Sequence, residues 1–423
     1  MSRKRLAVIG AGPKGAAIAA KAAALKRAIG TDIEVTLFDQ NTAAGNWKGS
    51  HGFTDGDQKL CTPAERDVGF PYDHVFGEET AAIMQAEYSW MAYSVQSDDV
   101  VYSDWVNRGG EKATHGQFAD YLKFVIDASN AKQEYHTEVV GLTRSGKKWA
   151  ISVNGPSGTG STMPDLYDGV VVTGPGPARK TFGTFGDPAL FDAEDFWSRN
   201  TTIRKLVRGS DLPIVIVGGG GAAAAIAAWL VSNLASDQEI VFLAQQPTFY
   251  MRTGGFFENR VFDDEEVWDL LGQREKDDFV NRITRAVVWE TVAEKLTAAE
   301  NLHLSPGRAK SIAKSTGGTS HGVLTVTYRP CAGGPDTTVD ACVVVDAAGF
   351  DTWWFRKLLP SRWGGYGDDK LKKLAGGMDY QLRLCMRGYP SFHAPTVSQS
   401  RGPGFTSLMV LGRMADRILS AYV

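Results

Sequence analysis

Twice along the chain a short apolar run stops at a cluster of glycines and resumes as an alanine-rich stretch. "LAVIG" (6–10) leads through Gly12 and Gly15 into an Ala-rich helix reaching Ala28, and "IVIVG" (214–218) leads through Gly219, Gly220 and Gly221 into another. A run of four or five apolar residues bounded by glycine predicts a buried strand, and alanine is the strongest helix former. Each helix is followed by a second apolar run, "DIEVTLFDQN" (32–41) or "EIVFLAQQP" (239–247), which completes a βαβ order and predicts parallel sheets. Two further apolar strands close in small-residue turns, "YDGVVVTGPG" (167–176) and "VDACVVVDAAGFD" (339–351). Both are expected to return the chain to the first sheet. The pattern predicts an α/β protein with two Rossmann-like dinucleotide-binding domains and a small substrate-binding part. The first domain would take residues 1–199 and 341–423, and the second, inserted, residues 200–340.

The turns are chemically different. In the first, Gly10 makes the tight turn, Gly12 lets backbone approach a pyrophosphate, and Gly15 lets helix pack on strand, with the helix N-terminus facing the phosphates. Asp39 ends the second strand 29 residues beyond Gly10, where a carboxylate accepts from a ribose hydroxyl or is simply a solvated acid. In the second turn Gly218 and Gly220 take the first two roles and Ala223 stands in the third. No acid ends the following strand: Gln245 and Gln246 stand there, with Arg252 shortly after. A carboxylate would repel a 2′-phosphate, whereas an arginine suits one, so the first site reads as built for FAD and the second for NADPH. A surface arginine is the other reading of Arg252. Two dinucleotide sites in one chain imply electrons passing from NADPH to a flavin.

The net charge of −3 provides no basic field, so no nucleic-acid or membrane partner is expected. The apolar run after "MSRKR" is too short for a signal peptide, and no stretch approaches a membrane helix. Cys61, Cys331, Cys342 and Cys385 form no CxxC, which removes the disulfide-reductase class and favours a reduced, cytoplasmic enzyme. The seven histidines show no ligand spacing, so no metal is expected; His51 is the one placed to approach a flavin.

Several segments outside the glycine turns carry more specific information: "GNWKGSHGFTDG" (45–56), "ERDVGFPY" (65–72), "YSWMAY" (88–93), "MRTGGFFENRVF" (251–262) and "SRGPGFTSLMVLGRMADRIL" (400–419). In these the chain resembles the microbial N-hydroxylating monooxygenases of lysine and ornithine, especially the mycobactin and nocobactin type of lysine N6-monooxygenase. The resemblance runs from Leu6 to near the C-terminus. It implies FAD and NADPH as cofactors, O₂ and a small amine as substrates, and a hydroperoxide at flavin C4a as the oxygen donor. It places Trp47 near the flavin ring, although a core tryptophan is the plainer reading. It places Arg66 at the substrate carboxylate, where the alternative is an ion pair with Glu65 or Asp67. Asn259 would contact the bound amino acid or else cap a turn, and Glu258 beside it could face the substrate amine. Gly402, in "RGPGF", would bring backbone amides to the flavin.

Two departures from the ornithine subtype, Cys61 in place of a glutamine and Arg285 in "TRAVVW" in place of an asparagine, point toward lysine. N6-hydroxylation of L-lysine for siderophore assembly is the implied activity. Ornithine, another primary amine or diamine, an NADPH oxidase or reductase, and a nucleotide-binding regulator remain as alternatives; a homo-oligomer is compatible with all of them.

Overall fold

The computed structural model describes residues 3–49, 51–97, 102–156, 158, 160–182, 186–252, 254–284, 287–315 and 323–423; Arg285 lies outside them. Two sheets, each organised around one glycine turn, form the body. In the first, Lys4–Ile9 is central. Ile33–Phe38 and then Lys132–Glu134 lie on one side, Gly169–Val172 and then Ser391–His393 on the other, all parallel. In the second, Ile214–Val217 is flanked by Ile240–Ala244 and Leu302–Lys314 on one side and by Val343–Asp346 and Leu190–Asp192 on the other, again parallel. Leu324–Pro330 and Thr337–Ala341 extend it antiparallel. The strands GVVV (169–172), IVIV (214–217) and VVVD (343–346) are buried at every residue, as parallel strands covered on both faces must be.

The strand at 343–346 corrects an expectation. It pairs with Ile214–Val217 and Leu190–Asp192 in the second sheet and does not return to the first. The two sheets explain why. Each glycine turn is closed by a strand on its far side: Thr173, after Gly169–Val172, lies against Gly10, and Ala347, after Val343–Asp346, lies against Gly218. Each unit therefore needs its own copy of that strand, and Ser391–His393 is the one that completes the first sheet. The second sheet accordingly draws on residues from Leu190 to Asp346, wider at both ends than 200–340.

The helix Pro13–Ile29 is buried along most of its length and ends at Gly30, whose φ of 70° is the left-handed cap that glycine tolerates best. It packs on the helices His115–Ser129 and Leu411–Leu419. Between it and the last helix lies a fully buried ion pair, Lys21 Nζ to Asp416 Oδ1 at 2.6 Å. Among the described residues no helix is long and apolar enough to cross a membrane.

Candidate active site

The first turn has the geometry a pyrophosphate needs. The Gly10 N–H donates to the Phe38 carbonyl (2.7 Å), and φ is 111°, a region that disfavours any side chain. A Cβ on Gly15 would lie 2.3 Å from the Gly10 carbonyl oxygen, so helix and turn touch there. A Cβ on Gly12 would meet nothing within 4 Å, so the backbone there borders open space. Asp39 ends the second strand as expected, but its carboxylate already accepts from the Ala11 and Asn41 amides (2.8 Å each). Burial pushes its pKa up and these amides oppose the shift.

Lys14, which sequence reasoning passed over, is the second residue of the helix that this turn opens. It is 7% exposed, and its ammonium donates to the Ser407 carbonyl (2.8 Å), with no carboxylate among the described residues in an ion pair with it. Burial lowers its pKa to about 7. Trp47 follows a turn tied to the first glycine loop by Ala44 N–H to Ala11 O (3.0 Å), and it packs on His115 (5.0 Å between rings) and Phe118 (5.8 Å). His51 is exposed; the histidine against Trp47 is His115, bound to Thr54 Oγ1 at 2.6 Å and lowered to about 4 by burial.

The second turn repeats the first. The Gly218 N–H donates to the Leu243 carbonyl (2.9 Å) at φ 126°, Gly220 faces open space, and Ala223 is fully buried in the helix behind. The turn borders a cavity of about 1080 Å³, also lined by Gln245, Gln246, Arg308, Lys310 and Arg329. Arg252 does not line it. The strand Tyr250–Arg252 turns away to pair with Val287–Trp289. The Arg252 guanidinium there is held by Glu258 and lies 4.2 Å over the Phe262 ring and 5.0 Å over the Trp289 ring. Arg252 thus stands apart from this cavity, and the described cations that line it are Arg179, Arg308, Lys310 and Arg329. Arg308 and Lys310 come from Leu302–Lys314, which adjoins Ile240–Ala244 with Ala244 opposite Pro306, and Arg329 comes from Leu324–Pro330 on the far side of that strand. Lys310 and Arg329 share Asp336 (2.7 and 3.0 Å), while Arg308 has no ion pair among the described residues.

A third cluster lies where the second unit touches the first. The Arg66 guanidinium, 11% exposed, donates to Asp263 Oδ2 (2.9 Å) and to the Met409 carbonyl (3.1 Å) and covers the Phe70 ring (4.5 Å). Neither Glu65 nor Asp67 takes it; Asp67 is buried and accepts from the Trp90 amide (2.8 Å) and Tyr72. Asp263 ends the helix Phe256–Asp263, and Asn259 stands one turn before it on the same face, its amide donating to the Gly254 carbonyl (2.6 Å). Arg66 and Asn259, far apart in sequence, are thereby brought to one helix face. Glu258 instead pairs with Arg252.

Gly402 and its turn pack on this same segment. A Cβ on Gly402 would lie 3.8 Å from Trp268, and one on Gly404 would lie 2.1 Å from the Phe262 carbonyl. Arg413 fixes the helix end: it grips Asp73 with two bonds (2.5 and 3.0 Å) and donates to the Asp263 carbonyl. Burial pushes the Cys61 thiol up to about 12, with Arg252 and Lys112 opposing the shift.

Two parallel sheets with matching glycine turns, and a polar cluster between them, define an enzyme fold of the two-dinucleotide oxidoreductase class. A profile described as L-lysine 6-monooxygenase/L-ornithine 5-monooxygenase matches residues 80–298. The chain is 31% identical over 430 residues to the L-lysine N6-monooxygenase MbtG of Mycobacterium tuberculosis, covering 98% of this chain and 94% of that protein. Its fold is similar to the lysine monooxygenase NbtG of Nocardia farcinica, with TM-score 0.78, 26% identity and coverage of 98% and 99%. The Kutzneria ornithine N-hydroxylase KtzI shares the fold at TM-score 0.75 and 16% identity, covering 100% of this chain and 99% of that one. This chain belongs to the L-lysine 6-monooxygenase/L-ornithine 5-monooxygenase family.

Proposed function

We propose that the protein hydroxylates the side-chain amine of L-lysine to N6-hydroxylysine, using FAD, NADPH and O₂. The near-full-length identity to a lysine N6-monooxygenase carries this reading, and the site supports it. FAD fits the first turn, where Gly12 leaves room and Lys14 offers a buried cation with no acid partner among the described residues. NADPH fits the second, where the cavity has basic residues beside Gln245 and Gln246. Arg66 binds the substrate carboxylate and Asn259 supports the head group from the facing helix. Hydroxamates built from N6-hydroxylysine offer iron(III) hard oxygen donors, which fits siderophore assembly. We place the enzyme in the cytoplasm, where NADPH is supplied.

Bound FAD, once reduced by NADPH, supplies the activated oxygen. The protein must present an amine with a free lone pair, although a lysine side chain, of pKa about 10.4, is almost wholly protonated in water. Desolvation favours the neutral form. Phe262, Trp268 and Phe405, each buried beside the Arg66 cluster, are the aromatic groups that would exclude water there. Holding the other end of the substrate at Arg66 sets how far the amine reaches. One methylene is worth about 1–3 kcal/mol in an apolar pocket, so lysine is separated from ornithine by modest energies and by reach.

The direct test measures hydroxylamine formed against NADPH consumed, with lysine, ornithine and cadaverine in parallel. Lysine is expected to give the highest ratio; hydrogen peroxide alone with every amine would overturn the proposal. In the same assay Asn259→Ala is expected to raise the lysine KM about 10-fold or more, the range for losing a hydrogen bond to a charged group, and to divert NADPH into peroxide. Unchanged coupling at every lysine concentration would remove Asn259 from the site.

The nucleotide assignment has its own test. Removing one charge-assisted contact to a phosphate in Arg308→Ala should raise the NADPH KM by about 10- to 100-fold. The NADH KM should stay the same, and equal losses for both nucleotides would place Arg308 away from the 2′-phosphate.

A further inference from the structure

Arg66 is not a free cation waiting for a carboxylate. Its guanidinium already faces Asp263 at 2.9 Å, with that acid 21% exposed and Arg66 11% exposed. A substrate carboxylate arriving at Arg66 would therefore sit beside a second carboxylate in a half-buried site. Like charges that close repel strongly at the reduced dielectric of such a place. The repulsion becomes attraction if the entering group carries its own cation next to its carboxylate, and an α-amino acid does.

The carboxylate of Asp263 is also not needed to anchor its helix. Arg413 holds that helix end through the Asp263 main-chain carbonyl, and Asp73 fixes Arg413. Asn259, one turn away on the same face, completes a head-group site of cation, anion and amide.

We infer that Asp263 binds the α-ammonium of the amino acid whose α-carboxylate Arg66 binds, so that the enzyme selects a free zwitterionic head and rejects lysine acylated at its α-nitrogen. The inference rests on the proposal that Arg66 marks the substrate head. It assigns a specificity role to a residue that the sequence did not single out, and it orders the chemistry around this step: hydroxylation precedes any reaction that acylates the α-nitrogen.

The test compares kcat/KM for hydroxylamine formation from L-lysine and from Nα-acetyl-L-lysine. Wild-type enzyme is expected to prefer free lysine by about 30- to 100-fold, the range for one hydrogen bond between charged groups. Asp263→Asn should raise the lysine KM and lower that for the acetylated compound, bringing the preference under about 10-fold. Asp263→Glu, which keeps the charge, should restore most of the preference. Equal kcat/KM for the two compounds in the wild type overturns the inference without any variant, so misfolding of Asp263→Asn cannot hide the answer. A parallel rise in both KM values in Asp263→Asn also overturns it, because an acid that merely orients Arg66 would act on both alike. Arg66→Met separates the two levels. If it leaves both KM values unchanged, the head-group site itself is misplaced; if it raises both while Asp263→Asn shifts neither, only the role of Asp263 fails.

Discussion

Gly15→Val should yield protein without bound flavin. The Cβ of any other residue at position 15 would lie 2.3 Å from the Gly10 carbonyl oxygen and 3.4 Å from the Gly10 carbonyl carbon. These are backbone atoms of the turn, so no side-chain rotamer relieves the clash. Either the helix Pro13–Ile29 moves off the strand Lys4–Ile9 or the turn opens. Because that helix is buried on contacts with His115–Ser129 and Leu411–Leu419, the turn is the softer of the two. Overpacking of this kind costs about 1–3 kcal/mol; distortion of the Gly12 backbone adds directly to the cost of holding a pyrophosphate. At about 1.4 kcal/mol per tenfold, FAD affinity should fall by about 5- to 150-fold, and the flavin retained through purification should fall with it. The visible spectrum of the purified protein, set against protein concentration, measures it. The second unit supplies an internal contrast, since Ala223 already occupies the matching position there. Ala223→Gly should therefore leave NADPH use nearly unchanged. A Gly15→Val protein that retains its full flavin would mean that the turn does not hold the cofactor.

The glycine turns were legible in the sequence because the backbone itself dictates the residue. Gly10 and Gly218, at φ 111° and 126°, accept little else, and their spacing from the helix reflects that demand. The separation of the third cluster from the nucleotide cavity was not legible. Arg252 follows Gln246 closely in sequence, but nearness along the chain does not make them neighbours in space. The strand Tyr250–Arg252 instead leaves toward Val287–Trp289. Arg308 and Lys310, about sixty residues further on, reach the cavity because Leu302–Lys314 lies beside Ile240–Ala244. Their alternation along one strand is the only local signal of a shared face. Arg66 and Asn259 were singled out by resemblance; the acid that joins them, Asp263, has meaning only once the two units are packed. Duplication explains the misplacement of Val343–Asp346 too: its sequence matches Gly169–Val172 because both perform the same task, each in its own sheet.

Lys14→Met should stabilise the flavin-free protein and weaken its hold on FAD, and the two effects share one cause. In the folded chain the Lys14 ammonium is buried against a single carbonyl, with its pKa lowered from 10.5 to about 7. The unfolded chain keeps the ordinary value of about 10.4. Between those two values the unfolded chain binds a proton that the folded one does not, so stability rises as pH rises through that window. Below about pH 7 both states are protonated and the full penalty is felt, on the order of 4–5 kcal/mol. Methionine has similar length and no charge to bury. The flavin-free variant should therefore melt above wild type near pH 6.5, with the gap closing toward about pH 10. A pyrophosphate at the adjoining turn supplies the missing counter-charge and reverses the balance. Flavin titration should show FAD binding weakened by about 10- to 100-fold in the variant, the range for one charge-assisted contact. A flavin-free Lys14→Met protein less stable than wild type near pH 6.5 would mean that the lysine has a counter-charge of its own. Undiminished FAD affinity would mean that the pyrophosphate lies elsewhere.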